Sequence, residues 1–471
     1  MPAHSSRRRA ARALTALAAA TLAGAACRAG SAPGPVASPA STAPSDRPDS
    51  AAVRRDVAFL ASDALEGRGT GTPGNDSAAA FIARRYVTLG LTAVEPAPAV
   101  GTGCPAPDVV SRAPRAAAAA SAACRSFMQP FAARSVFAAH AGGPAALATQ
   151  NVVALLPGRD SALRHQYVVV GAHFDHLGRT SGSSLDADAG EAIRNGADDN
   201  ASGTAAVLEL ARLLARAPTR RSVLFVNFSG EELGVLGSQH FVEHAPVPLD
   251  SVQAMLNFDM VGRLRDSKVI VYGVATAEEL PGVLSWASAD LGLQVTALGD
   301  GFGPSDHASF AAKGVPVLHF FTDLHDDYHR ATDDDDKVDA GGVARVVALA
   351  ERTVRALADR PERLTAVRAG PPARAAGSRT GSNVYLGTVP DMSASETRGL
   401  RLTGVRPGSP ADSAGLVAGD VIVELGGVAV TDLYTYSDAL YAHRPGETVE
   451  IVVVRGAERK TVRATLGRRG N

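Results

Sequence analysis

The chain has 471 residues, which at roughly 150 per domain is room for two to four domains and a large core. Lys+Arg 47 against Asp+Glu 48 leave a net charge of -1, which argues against the basic footprint of a nucleic-acid binder or of a polybasic membrane surface. With 45% hydrophobic and 20% charged residues the composition is that of a globular protein, and beyond about the first thirty residues no apolar run approaches the roughly 20 residues of a membrane span, which predicts a soluble mature chain.

At the N-terminus Arg7, Arg8, Arg9 and Arg12 precede an apolar stretch from Ala13 to Ala26 that is too short to cross a bilayer as a helix. Residues 1–27 therefore read as a signal peptide, and the protein is expected to be exported: periplasmic, extracellular or lipid-anchored to a bacterial envelope membrane. Gly24, Ala25 and Ala26 are small, as before the lipidated cysteine of bacterial lipoproteins, but Gly24 stands where Leu is expected. Lipidation of Cys27 and simple cleavage nearby both stay open, and Cys27 is the one route to a membrane. Residues 28–50, rich in Ala, Ser, Pro and Gly, predict a disordered tether. In an oxidising compartment Cys104 and Cys124 are expected to pair and close a surface loop, in which Ala116 to Ala123 is a helix or a flexible insert.

Four apolar runs then end in polar clusters. Tyr167 to Ala172 leads into His173-Phe174-Asp175-His176, and Ser222 to Phe228 leads into Ser229-Gly230-Glu231-Glu232. Met255 to Phe258 leads into Asp259, and Val315 to Phe321 into a segment with His325, Asp326, Asp327 and His329. Continuous apolar runs of this length suit parallel strands buried on both faces. Between them Val207, Leu210, Leu213 and Leu214 recur at helical spacing in Ala201 to Arg216. The alternation predicts an α/β fold, a mostly parallel sheet flanked by helices, with a cleft beyond the carboxyl ends of the strands.

The candidate ligands in that cleft are His173, Asp198, Glu232, Asp259 and His329, a set of imidazoles and carboxylates without thiolate that suits Zn²⁺, with Co²⁺ or Mn²⁺ as substitutes. Five ligands serve two ions if one carboxylate bridges, and Asp198, on a Gly/Asn-rich turn, is the expected bridge. Glu231, next to Glu232, is left free to act as a general base.

GAHFDHLG, NGADDNASG, NFSGEELGVLGS, NFDMVGR, SDHASF and DYHRATD resemble, in order and spacing, the co-catalytic zinc aminopeptidases of the bacterial leucyl aminopeptidase type, and LASDALEGRGTGTPG from Leu60 to Gly74 is similar to their entry segment. That family shares its zinc exopeptidase fold with glutamate carboxypeptidases and glutaminyl cyclases. The resemblance implies one metal on His173, Asp198 and Asp259, a second on Asp198, Glu232 and His329, and Glu231 as base and proton shuttle in peptide hydrolysis. It further implies that Asp175 orients His173, that the Asp198-Asp199 peptide is cis, and that Asp306 and His307 support the site. The run Asp333 to Asp336 reads as a solvated acidic loop, with Asp333 the one of the four expected to support the site. His325 either lines the substrate site or is a loop residue. Asp323 and Ala331 stand where relatives often have Gly and Pro.

Residues 360–382, dense in Arg, Ala, Gly and Pro, predict a linker after a domain spanning 51–359. Residues 383–467 resemble a PDZ domain, most specifically in GSPADSAGLVAGDVI, with a helix-like Tyr434 to Ala442 and a strand at Thr448 to Val454. The resemblance makes Tyr385 to Gly387 the loop that accepts a peptide C-terminal carboxylate, unless the groove is empty or packed away. The expected function is an exported aminopeptidase acting on peptides with a free N-terminus. Carboxypeptidase or glutaminyl cyclase chemistry on the same site, or a non-catalytic PDZ-led binding role, are the alternatives.

Overall fold

The computed structural model describes residues 47–94, 127–133, 146–179, 189–299, 305–367, 384–390, 399–405, 408–431 and 442–468, with residues 184, 186, 301, 435–436 and 439–440. The expected signal peptide, nearly all of the tether, Cys27, Cys104, Cys124, the Ala116 to Ala123 run and residues 368–382 lie outside them. No helix among the described residues is long and apolar enough to cross a membrane.

Among these residues nine strands form one sheet. They are β1 (Thr92–Ala93), β2 (Met128–Ala133), β3 (Leu147–Leu156), β4 (Tyr167–His173), β5 (Ser222–Phe228), β6 (Val252–Phe258), β7 (Lys268–Tyr272), β8 (Gln294–Leu298) and β9 (Val317–Phe321). Their order is β1-β3-β5-β4-β6-β9-β7-β8, with β2 also on β3. The central strands β5, β4, β6 and β9 are mutually parallel and correspond to the four apolar runs of the sequence. Antiparallel pairs extend the sheet on either side, β3 on β5 and β7 on β9.

The runs are mostly apolar because both faces are covered, and the polar residues within them, Ser222, Asn227, Asn257 and His319, are buried. Val168, Val170 and Ala172 of β4 pack with α1 (Ser50–Leu60), α2 (Pro73–Thr88), α3 (Gly203–Arg216), α5 (Leu280–Ser288) and α7 (Ala340–Asp359), whereas Val169 faces α4 (Leu236–Glu243) and α6 (His307–Ala311). In α3 the residues whose spacing predicts a helix, Val207, Leu210, Leu213 and Leu214, are all buried, each contributing about 1.5–3 kcal/mol of apolar burial. The helix starts at Gly203 rather than Ala201 because Ala197–Ser202 forms a wider turn.

Two expected boundaries shift. Asp49 caps α1 by accepting from Ala51 and Ala52 N–H, and its own amide donates to the buried Glu209 at 2.6 Å, so the domain begins inside the segment read as tether. The linker begins late. Arg221 is fully buried and donates to the carbonyls of Arg360, Pro361 and Glu362, and Thr365 N–H donates to the Glu279 carboxylate at 3.0 Å. Buried donors in need of acceptors thus hold 360–365 on the first domain.

The C-terminal region has its own β-rich architecture: β10 (Val384–Tyr385), β11 (Thr388–Pro390), β12 (Leu400–Val405), α8 (Pro410–Ser413), β13 (Val421–Leu425), β14 (Val428–Ala429), β15 (Thr448–Arg455), β16 (Glu458–Thr465) and β17 (Gly467–Arg468). Strands β11-β12-β13-β15-β16 form a sheet with β14 on β13, and β10 pairs with β17. Leu386, Leu402, Ile422, Leu425, Ile451 and Val453 build a separate core. Residues 435–436 and 439–440 are helical, inside the expected helix.

Candidate metal centre

Parallel strands deliver their exits in one row, and the acids sit on those exits. His173 is the last residue of β4, Glu231 and Glu232 follow β5, Asp259 follows β6, and the loop after β9 returns as far as His329.

Two groups of side chains converge there, His173 with Asp199 and Asp259, and His176 with Asp199 and Glu232; within each group the ligand atoms lie within 4.8 Å of one another. His173 Nε2 is 3.3 Å from Asp259 Oδ1 and 3.4 Å from Asp199 Oδ1. His329 Nε2 is 3.2 Å from both Asp199 Oδ2 and Glu232 Oε2, and His176 Nδ1 is 2.7 Å from Glu232 Oε1. Asp199 turns one oxygen to each group and is the bridge between them.

This corrects the expectation for Asp198. Its carboxylate points away from both groups, accepting from Gly262 N at 2.6 Å and Ser202 Oγ at 2.9 Å and lying 3.1 Å from His325 Nε2. The cis peptide lies one residue later than expected, between Asp199 and Asn200. The wide turn sends successive side chains in opposite directions, so the second acid faces His173. His325 serves Asp198 and does not reach the two groups.

Glu231 lies beside the clusters. Its N–H donates to Asp175 Oδ1 at 3.2 Å, and Asp175 Oδ2 accepts from Thr70 Oγ1 at 2.8 Å. Asp175 lies next to His173 as expected, but its main-chain oxygen, 3.1 Å from His173 Nδ1, is nearer than its carboxylate at 3.7 Å. Burial, with the charges of Glu232, Asp259 and Asp306, pushes the Glu231 carboxyl well above the usual range. Burial acts the same way on Glu232, yet His329 and His176 win and hold it at about 2. Two adjacent glutamates are thus set to opposite protonation behaviour by their neighbours.

Asp333 supports the site as expected: it is fully buried, its Oδ2 accepts from the amides of Asp198 and Asp199 at 2.9 and 3.1 Å, and its Oδ1 takes Arg263 at 2.9 Å. Asp306 is fully buried, and burial pushes its carboxyl up to about 7, while His307 stacks on His319 at 4.4 Å. Asp323 has φ 76, a left-handed conformation that favours glycine and that Asp tolerates.

Sequence reasoning missed three participants. His176 lies in the same HFDH exit as His173, three residues on, a signal that was available. Tyr328 stacks on His329 at 3.9 Å, and burial, with the surrounding carboxylates, pushes its phenol well above its ordinary value. Arg68 is fully buried and donates to the carbonyls of Leu60, Phe174, Asn195 and Gly196, tying the His173 exit to the Asp199 turn.

The donor set fits zinc. Burial would push His173 and His329 down, but Asp259 and Glu231 around the first and Glu232 and Asp199 around the second drive both imidazoles well above their ordinary value. Buried carboxylates this dense call for positive charge between them, and imidazole nitrogens with carboxylate oxygens are hard-to-borderline donors of the kind Zn²⁺ takes.

Residues 151–354 match the family model of peptidase family M28, and residues 384–466 match that of the PDZ domain. Aminopeptidase YwaD of Bacillus subtilis is 30% identical over 179 residues, 36% of this chain and 35% of that protein. Leupeptin-inactivating enzyme 1 of Streptomyces exfoliatus is 32% identical over 176 residues, 36% of this chain and 35% of that protein. The match thus spans about a third of the length of these curated relatives. A Zn-dependent exopeptidase from Parabacteroides distasonis superimposes with a TM-score of 0.52 at 15% identity, covering 67% of this chain and 100% of that one, which establishes the shared fold.

Proposed function

We propose that this chain, whose residues 151–354 form a peptidase domain of family M28 and whose residues 384–466 form a PDZ domain, is an exported aminopeptidase that removes residues from peptides with a free N-terminus. The observation that carries the reading is the pair of buried donor groups sharing Asp199, with Glu231 beside them. His173, Asp199 and Asp259 would hold one Zn²⁺, and Asp199, Glu232 and His329 the other, with His176 bracing Glu232. Bound there, zinc supplies Lewis acidity and lowers the pKa of water.

The chain's own groups do the rest. Glu231 accepts the proton of the attacking water and returns it to the leaving amine, a general-base and general-acid role. Asp175 fixes the Glu231 main chain through its amide. The Tyr328 phenol, protonated beside His329, can donate to developing negative charge on the scissile carbonyl.

The acid excess also supports exopeptidase action at the amino end. An α-ammonium group suits a floor of carboxylates. The Arg-rich, apolar N-terminus supports export, with Cys27 as a lipidation point, and the Tyr385 to Gly387 loop supports capture of a peptide C-terminus by the PDZ domain.

The test is hydrolysis of free and N-acetylated aminoacyl-arylamides by the zinc-loaded chain lacking residues 1–27. Chelator-sensitive cleavage of the free-amine substrates alone is expected, and Glu231→Gln should lower turnover about 10²- to 10⁴-fold while retaining zinc. Inertness toward every arylamide in a fully metallated protein would overturn the aminopeptidase reading and point to carboxypeptidase or glutaminyl cyclase chemistry.

A further inference from the structure

His173 and Asp259 are placed by the ends of strands and Glu232 by a short exit, but His329 is delivered by a loop well beyond β9. Its backbone is left-handed, with φ 54, an uncommon conformation for a residue other than glycine. The loop is tied at both ends. Asp327 takes Lys337 Nζ at 2.6 Å and Thr332 Oγ1 at 2.7 Å, and Asp333 takes Arg263 and the amides of Asp198 and Asp199.

Between these ties, two residues after His329, Ala331 N–H donates to Asp186 Oδ2 at 2.6 Å. Asp186 belongs to a distant part of the chain and is itself immobilised. Its Oδ1 is 2.7 Å from Arg194 Nη2 and 2.9 Å from Arg194 Nε, and it also accepts from Ser184 Oγ. Arg194 is 2% exposed and anchored further by the carbonyls of Arg179 at 2.6 Å and Ala192 at 3.1 Å. Two nitrogens of the buried guanidinium thus hold one oxygen of Asp186 and leave the other for Ala331, and Arg194 cannot let go without stranding a buried charge.

We infer that Asp186, locked by Arg194, is a positioning residue that holds the His329 loop so that the imidazole meets Asp199 and Glu232. The inference rests on the reading of this centre as a metal site. Asp186 touches neither donor group, so its loss should act only through His329, on one ion of the two.

Asp186→Ala and the near-isosteric Asp186→Asn, each in the full chain, would be titrated with zinc against a chromogenic chelator, with thermal melting to confirm folding. Asp186→Ala is expected to weaken one of the two zinc sites about ten- to hundredfold and leave the other at wild-type affinity. Asp186→Asn keeps an oxygen for the Ala331 amide and should recover part of the loss. Wild-type affinity at both sites in Asp186→Ala, or equal weakening of both, would overturn the proposal. If Asp186→Ala does not fold, Asp186→Asn decides by the same criterion, a selective loss at one site supporting the proposal and anything else overturning it. A wild-type chain that takes up no zinc fails differently: the metal reading falls, and this proposal with it.

Discussion

Asp198 and Asp199 carry the same functional group one peptide apart, and their surroundings give them different tasks. Asp199 spans the two donor groups, while Asp198 satisfies Gly262 N–H, Ser202 Oγ and His325. Asp199→Asn is therefore expected to strip zinc from both sites. Asp198→Asn should keep both ions and instead cost about 1–3 kcal/mol of stability through its weakened buried acceptor. Metal analysis and melting of the two dialysed variants check this, and the opposite pattern would refute the assignment. His173, Glu232 and Asp259 were legible in the sequence because each stands at the end of an apolar run of strand length, and His329 because it lies in the polar segment beyond the fourth run. The choice between adjacent aspartates was not legible, because it is made by the torsions of the turn at Ala197–Ser202, which residue identity does not encode. Nor was the link from Asp186 to Ala331, which joins positions 145 residues apart.

At the scale of elements, the four central strands of the large sheet were readable because burial on both faces leaves them mostly apolar, whereas β1, β2, β3, β7 and β8 were not foreseen. The segment at 360–365 was not readable either, since its place depends on carbonyl acceptors for Arg221 rather than on its own side chains. In the PDZ domain one ion pair joins two elements: Arg455 at the end of β15 grips Asp420, just before β13, through Nε at 2.6 Å and Nη2 at 2.7 Å. The Val417 amide adds a third donor at 3.0 Å. Burial acts to raise the Asp420 carboxyl, but Arg455 and Val417 prevail and hold it below the usual carboxylate range. A carboxyl depressed in the folded state contributes its full stabilisation above the unfolded pKa, about 3.9, and loses it as the pH falls through the folded value. Asp420→Asn should thus destabilise the PDZ transition by about 1.5–3 kcal/mol at neutral pH and remove part of its acid sensitivity. Melting curves of the full chain at pH 7 and pH 3 measure both effects.

For the molecule as a whole, two separate cores explain why two family models match in succession along one chain. The large sheet manages its two flanks differently. On one side β2 and β1 both pair with β3; on the other the sheet ends at β8, and no described strand pairs with its outer edge. Gln294, Thr296, Ala297 and Leu298 of β8 are exposed, and Gln294–Leu298 carries no charge. A neutral edge that no described strand covers is a template on which another copy can add a strand, and natural sheets usually guard such edges with lysine. At high concentration the protein should self-associate through this edge into growing aggregates, and Thr296→Lys should raise the concentration at which light scattering still reports a single species while leaving arylamide hydrolysis unchanged. The row of strand exits that gathers the two donor groups and the uncharged strand β8 belong to the same sheet.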